Sequence, residues 1–103
     1  MNNRIRKKQL KKLGKYVPYK DTWNLDITIA KFVLPRLKLF RKVVDCYPCN
    51  FNSIEEWHDI LDKMIESFYL MVTSPSYKTL NENYEKIEQG LDLFRKYYHD
   101  LWW

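Results

Sequence analysis

Between Ser53 and Val72 the apolar residues recur at one period. Ile54, Trp57, Leu61, Met64, Ile65, Phe68 and Val72 stand three or four residues apart or adjoin on the same side. That spacing lines them along one side of an α-helix and would scatter them over both faces of a strand. Ser53 followed three residues later by Glu56 is a capping box, which fixes where the helix begins. A second run behaves likewise. Leu80, Tyr84, Ile87, Leu91, Phe94, Tyr98 and Leu101 alternate steps of four and three, the pattern of a helix packing seam. Gly90 interrupts this run at a cost of about 1 kcal/mol relative to alanine, which predicts a close helix crossing at that point.

Upstream, Asp21 or Thr22 can cap a helix reaching to about Val44, with Leu25, Ile29, Phe32, Val33, Phe40 and Val44 on its buried face. Pro35 lies inside it, removes one ladder hydrogen bond and predicts a kink or a split. Asn3 to Leu13 is polar and basic, and Gly14 reads as its stop. A helix that short is marginal in water and forms only when docked or bound. Asp45–Asn52 and Thr73–Ser76 read as breaks, and no strand alternation or internal repeat occurs. The expected fold is all-α: one domain holding a small bundle of three long helices over residues 21–103, the second helix kinked at Pro35. A basic helical arm occupies residues 1–15.

Composition narrows the class. A chain of 103 residues has room for one core and not for separate cofactor and substrate domains. Two glycines, four prolines and 17% aromatic residues argue against a low-complexity or disordered chain. No apolar run approaches the roughly 18 residues of a membrane span. The basic start lacks the apolar centre of a secretion signal, and two cysteines cannot staple a small secreted fold. A cytoplasmic protein without a membrane partner is expected.

The net charge of +5 hides an asymmetry. Residues 1–44 hold 13 Lys and Arg against Asp21 and Asp26, a local +11, whereas residues 45–103 hold five bases and 11 acids, a local −6. Either the halves neutralise one another inside the fold, or the basic half faces nucleic acid or an acidic protein surface.

Catalytic apparatus is not visible. Glu55, Glu56, Asp59, Asp62 and Glu66, with Glu82, Glu85, Glu88 and Asp92, resemble the paired carboxylates of all-α magnesium-dependent pyrophosphohydrolases. At about 100° per residue, however, both acid stripes point largely out of the bundle. His58-Asp59 and His99-Asp100 lack the further ligands a metal centre needs, and Glu55-x-x-His58 has no second copy to complete a di-iron pair. Cys46-x-x-Cys49 is half a zinc site at most. No glycine-rich phosphate loop or nucleophile elbow is present. We therefore expect no enzyme activity, no metal and no cofactor.

The binding candidates are stronger. Lys31, Lys38 and Lys42 fall within about 40° of one another on one helix face, and with Arg4, Arg6, Lys7, Lys8, Lys11 and Lys12 they can form a phosphate-contacting surface. Arg36 falls on the side expected to be buried, where an arginine must be paired or line a cavity. Three readings stay open: pairing with Asp21, Asp26 or another acid; binding the phosphate or base of a small nucleotide beside Tyr or Trp rings; or a surface position produced by Pro35. Trp102-Trp103 are expected to be partly exposed unless docked on the bundle, and exposed aromatics anchor protein interfaces.

Several runs carry a family resemblance. They are Asp21-Thr22-Trp23-Asn24-Leu25-Asp26, Ile29-Ala30-Lys31-Phe32, Leu34-Pro35-Arg36-Leu37-Lys38, Tyr47-Pro48, Glu55-Glu56-Trp57, Ile60 to Ile65, and Gly90-Leu91-x-Leu93-Phe94 through Leu101-Trp102. Together, over residues 20–103, the chain resembles a family of small proteins common in phages and prophages of Gram-positive bacteria. The resemblance implies no catalytic residues. It implies a context in which small proteins bind host factors, including defence nucleases and signalling nucleotides. The leading expectation is a non-enzymatic phage accessory protein that binds a host protein, such as a defence nuclease, as an anti-CRISPR-like inhibitor. The alternatives are sequence-tolerant nucleic-acid binding and sequestration of a signalling nucleotide, with homo-oligomerisation left open.

Overall fold

The computed structural model describes residues 7–8, 17–74 and 76–103. Among them the structure is helical without strands: α1 (Leu25–Val43), α2 (Ile54–Thr73), α3 (Tyr77–Glu82) and α4 (Tyr84–Lys96), with 3-10 turns at Tyr19–Thr22 and Tyr98–Asp100. The all-α small bundle expected from the sequence is what forms. Apart from Lys7 and Lys8, which are helical and exposed, the basic arm and its Gly14 stop lie outside the described residues.

Helix α2 organises the rest. Ser53 is extended (φ −154°, ψ 161°), and its hydroxyl accepts the Glu56 amide at 3.3 Å. The Glu56 carboxylate accepts the Asn52 amide at 2.9 Å, one residue before the Ser53 amide of a reciprocal capping box, so the Ser53 half of the box forms and the Glu56 half is shifted by one residue. The face this start defines is the core: Trp57, Leu61 and Met64 are fully buried and Phe68 nearly so. Each such side chain contributes about 1.5–3 kcal/mol on burial. Helices α1 and α4 both pack on α2 and hardly meet each other. Phe51, Trp57 and Tyr97 form a ring cluster with centroids 5.4–5.8 Å apart, which ties the loop after α1 to the start of α2 and the end of α4.

The α2–α4 crossing is as close as Gly90 predicted. A Cβ at Gly90 would lie 2.2 Å from the Ser67 Cβ and 2.6 Å from the Lys63 carbonyl oxygen. Buried Ser67 donates its hydroxyl to the Ile87 carbonyl at 2.7 Å, so its one polar atom is satisfied where the helices touch.

Four expectations need correction. First, α1 starts at Leu25 and not at Asp21 or Thr22. Asn24 turns the chain through the left-handed region (φ 47°), and the Thr22 hydroxyl serves the preceding turn by donating to the Tyr19 carbonyl. Asparagine tolerates that conformation better than most residues. Second, of the kink or split expected at Pro35, the split does not occur. Helix α1 runs through Pro35 as one helix, and both Pro35 and Lys31, whose carbonyl loses its partner, are exposed on the outer side where water can reach.

Third, the buried face of α1 is rotated from the expected one. Ala30, Leu34, Leu37 and Val44 are buried, Val33 and Phe40 are half-buried, and Leu25, Ile29 and Phe32 are exposed. Small Ala30 lets α1 approach α2, and Arg41 reaches Asp62 of α2 from the same side. Fourth, the last helix breaks at Asn83, whose backbone leaves helical geometry (φ −103°, ψ 12°) and whose side chain donates to the Thr79 carbonyl. Two long helices and a 13-residue one result, with a short α3 between, and Tyr84 and Tyr98 of the expected seam are exposed.

Substituting Gly90→Ala tests the crossing. Although alanine is the better helix former, we expect a loss of about 2–3 kcal/mol from overpacking, read by urea denaturation. A neutral or stabilised variant would mean that the helices can separate at no cost.

Candidate functional site

Of the acidic groups, Glu55, Glu56, Asp59, Asp62, Glu66, Glu82, Glu85 and Asp92 are exposed and Glu88 is half-exposed. Asp62 engages Arg41, and Glu66 lies 3.5 Å from the Lys86 ammonium. Among the described residues no group of three or more His, Cys, Asp and Glu side chains could hold a metal ion. Cys46 and Cys49 are free and exposed on the loop after α1. None of these groups converges on a cavity. The structure therefore places the acid stripes on solvated faces, as the helical spacing predicted.

The charge asymmetry survives folding. Among the described residues, Arg41–Asp62 is the one ion pair that joins the basic half of the chain to the acidic half, since Lys86–Glu66 lies within the acidic half. Lys31, Lys38 and Lys42 are all exposed on α1, and only Lys38 leans on a ring, with Nζ 5.8 Å from the Tyr69 centroid. The lysine face is thus available to a partner. Arg4, Arg6, Lys11 and Lys12 lie outside the described residues, so only Lys7 and Lys8 of the arm are placed, both exposed.

Arg36 is not buried. It meets neither Asp21 nor Asp26 but curls back on its own helix, with Nη1 donating to the Phe32 carbonyl at 2.9 Å and the guanidinium 3.5 Å from the Phe32 ring centroid. The rotation of α1 is the reason, because it carries the 25-29-32-36 side of the helix away from α2. Arg36 instead borders an open groove of about 260 Å³ between α1 and α4, whose other lining residues are Phe32, Val33, Leu37, Phe40, Phe94 and Leu101. The lining is apolar apart from Arg36. A nucleotide pocket needs convergent polar groups and enclosure, and this groove supplies one cation and no enclosure.

The tryptophans divide sharply. Trp57 is fully buried, whereas Trp23, Trp102 and Trp103 are 72%, 67% and 70% exposed. The Trp102-Trp103 pair does not dock on the bundle. The outer side of α1 adds further exposed apolar surface, including Phe32 at 58% and Leu39 at 61%. Sequence reading missed Leu39 and Val43 as surface apolar residues. The available signal was that α1 carries more apolar residues than one core-facing stripe can hold.

Because Arg36 makes its contacts on its own helix surface, Arg36→Met should change stability by no more than about 1 kcal/mol, measured by thermal or urea unfolding. A loss of several kcal/mol would return Arg36 to a structural role.

The chain matches no protein-family model, no curated protein and no solved structure.

Proposed function

We propose that the protein is a non-enzymatic binding protein that works by occupying the surface of another protein. The observation that carries this reading is the exposure of three of the four tryptophans. Tryptophan is costly to leave in water and is the residue most enriched among interface anchors. The Trp102-Trp103 pair, held beside the end of α4 by the half-buried Leu101, presents two such anchors together. The largely unneutralised lysine face of α1 supplies electrostatic steering toward an acidic partner surface. The resemblance to phage and prophage proteins directs the reading to a host factor such as a defence nuclease, which this chain would inhibit by covering an acidic region of its surface.

A second reading has its own observation. Lys31, Lys38 and Lys42 form one exposed row on α1, suited to neutralising phosphates without reading sequence.

One experiment separates the two. The full chain is used to capture partners from a bacterial lysate at low salt, with and without nuclease treatment. Nuclease-resistant capture is expected, and replacing both Trp102 and Trp103 by alanine should weaken it about 30-fold or more, the effect of losing an anchor worth about 2 kcal/mol. Helicity should not change. Capture that disappears with nuclease and with Lys31→Glu, Lys38→Glu and Lys42→Glu would favour nucleic acid, and recovery of no partner would reject both.

A further inference from the structure

The exposed apolar residues of α1 are ordered. Leu25, Ile29, Phe32, Arg36, Leu39 and Val43 follow one another by four, three, four, three and four residues. That is the a/d spacing of a coiled-coil seam sustained along all of α1. Arg36 holds the one polar position, and none of the six is buried. The seam is separate from the stripe that packs on α2, which is Ala30, Leu34, Leu37 and Val44. Helix α1 therefore carries two apolar faces and spends one of them on its own bundle.

We propose that the second face pairs with the same face of a second copy, as an antiparallel α1–α1′ helix pair about a two-fold axis near Leu34 and Pro35. The register follows from the spacing. Antiparallel pairing sets Leu25 against Val43, Ile29 against Leu39, and Phe32 against Arg36 of the other copy, and then the same three pairs in reverse. Every layer of the seam is filled, and each contact is reciprocal, as an isologous interface requires.

Charge and size select this occupant. A parallel pair would set Arg36 against Arg36 in a desolvated layer, where like charges are strongly unfavourable. The antiparallel register sets each guanidinium over the ring of Phe32 from the other copy. Arg36 already lies face-on to a phenylalanine ring, at 3.5 Å from its own Phe32, so the stacking geometry is in place. Of the residues flanking the seam, Asp26 and Lys42 are charged, and the two-fold sets neither against its own kind. The basic arm is the poorer occupant, since its bases would have to settle against Arg36. A helix of 19 residues spans about 28 Å. Six layers along that length, with Phe94 and Leu101 on the adjoining groove wall, form a continuous strip one helix long, which a second α1 matches in length. Lys31 and Lys38 lie more than about 100° round the helix from the seam centre, so the lysine face stays open in the dimer.

The test is the oligomeric state of the full chain, by sedimentation equilibrium over 1–100 µM, with circular dichroism to check folding. The wild-type chain should sediment as a dimer. Leu39→Asp and Phe32→Lys should run as monomers of unchanged helicity, the second because it sets an ammonium against the Arg36 guanidinium of the other copy. Phe32→Glu creates an opposite-charge layer in the antiparallel register and should dimerise at least tenfold more tightly than Phe32→Lys. Tyr77→Asp, at an 85% exposed position on α3, should remain dimeric. A wild-type monomer at 100 µM would overturn the proposal and leave the face to another occupant. Equal loss in Phe32→Glu and Phe32→Lys would overturn the antiparallel register, and a dimer indifferent to Leu39→Asp would place the interface elsewhere.

Discussion

The contact at Gly90 sets the α2–α4 crossing around which the described helices are arranged. With no Cβ on α4 at that point, α2 and α4 approach until the Ser67 side chain occupies the space a methyl group would need. At this point Ser67 fills the gap left by Gly90 and its hydroxyl donates to the Ile87 carbonyl, which locks the two helices together. Helix α2 is then fixed against α4 on one side and free to receive α1 on the other. Its buried row of Trp57, Leu61, Met64 and Phe68 serves both neighbours. A central helix flanked by two others that hardly meet makes a small bundle left open between α1 and α4. The groove between α1 and α4 is the direct consequence of that geometry.

How far the fold could be read from the sequence follows from the same layout. Helix α2 was legible because it has one core face, a capping box and no competing pattern. Gly90 was legible because glycine inside an otherwise regular seam has few explanations. Helix α1 was legible as a helix, but its orientation was not. Its apolar residues form two overlapping stripes, and the larger side chains belong to the stripe that does not face α2. Ranking positions by hydrophobicity favours Phe32 and Ile29 over Ala30, yet close approach favours Ala30. The break at Asn83 was hidden for another reason: the four-and-three spacing continues across it, while local side-chain hydrogen bonding to Thr79 redirects the backbone. The expected burial of the Arg36 side follows from the same stripe, and of the three readings open for Arg36 the surface position is the one that occurs, set by the rotation of α1.

Charge plays little part in holding these helices together. Lys86–Glu66 is well exposed and contributes at most about 1 kcal/mol, weakening with salt, while Arg41–Asp62 is a single half-buried pair at the edge of the α1–α2 contact. Stability rests on the apolar row of α2 and the two crossings it makes. The cations of α1 are therefore available for association, and their placement has a logic. Lys31, Lys38 and Lys42 share one side, Arg41 is used inside the fold, and Arg36 stands alone on the remaining apolar face.

That last placement is the most informative choice in the chain. A leucine at position 36 would make the outer face of α1 more apolar and more adhesive, but it would accept many partners and several registers. A single polar residue at an a/d position lowers affinity and raises selectivity, because only a register that gives it a partner is tolerated. Arginine suits the role better than lysine here. Its planar guanidinium can lie on a phenyl ring, as it does on Phe32, and so tolerates partial desolvation that an ammonium would resist. An apolar face with one arginine in it combines adhesion with a condition on what may adhere.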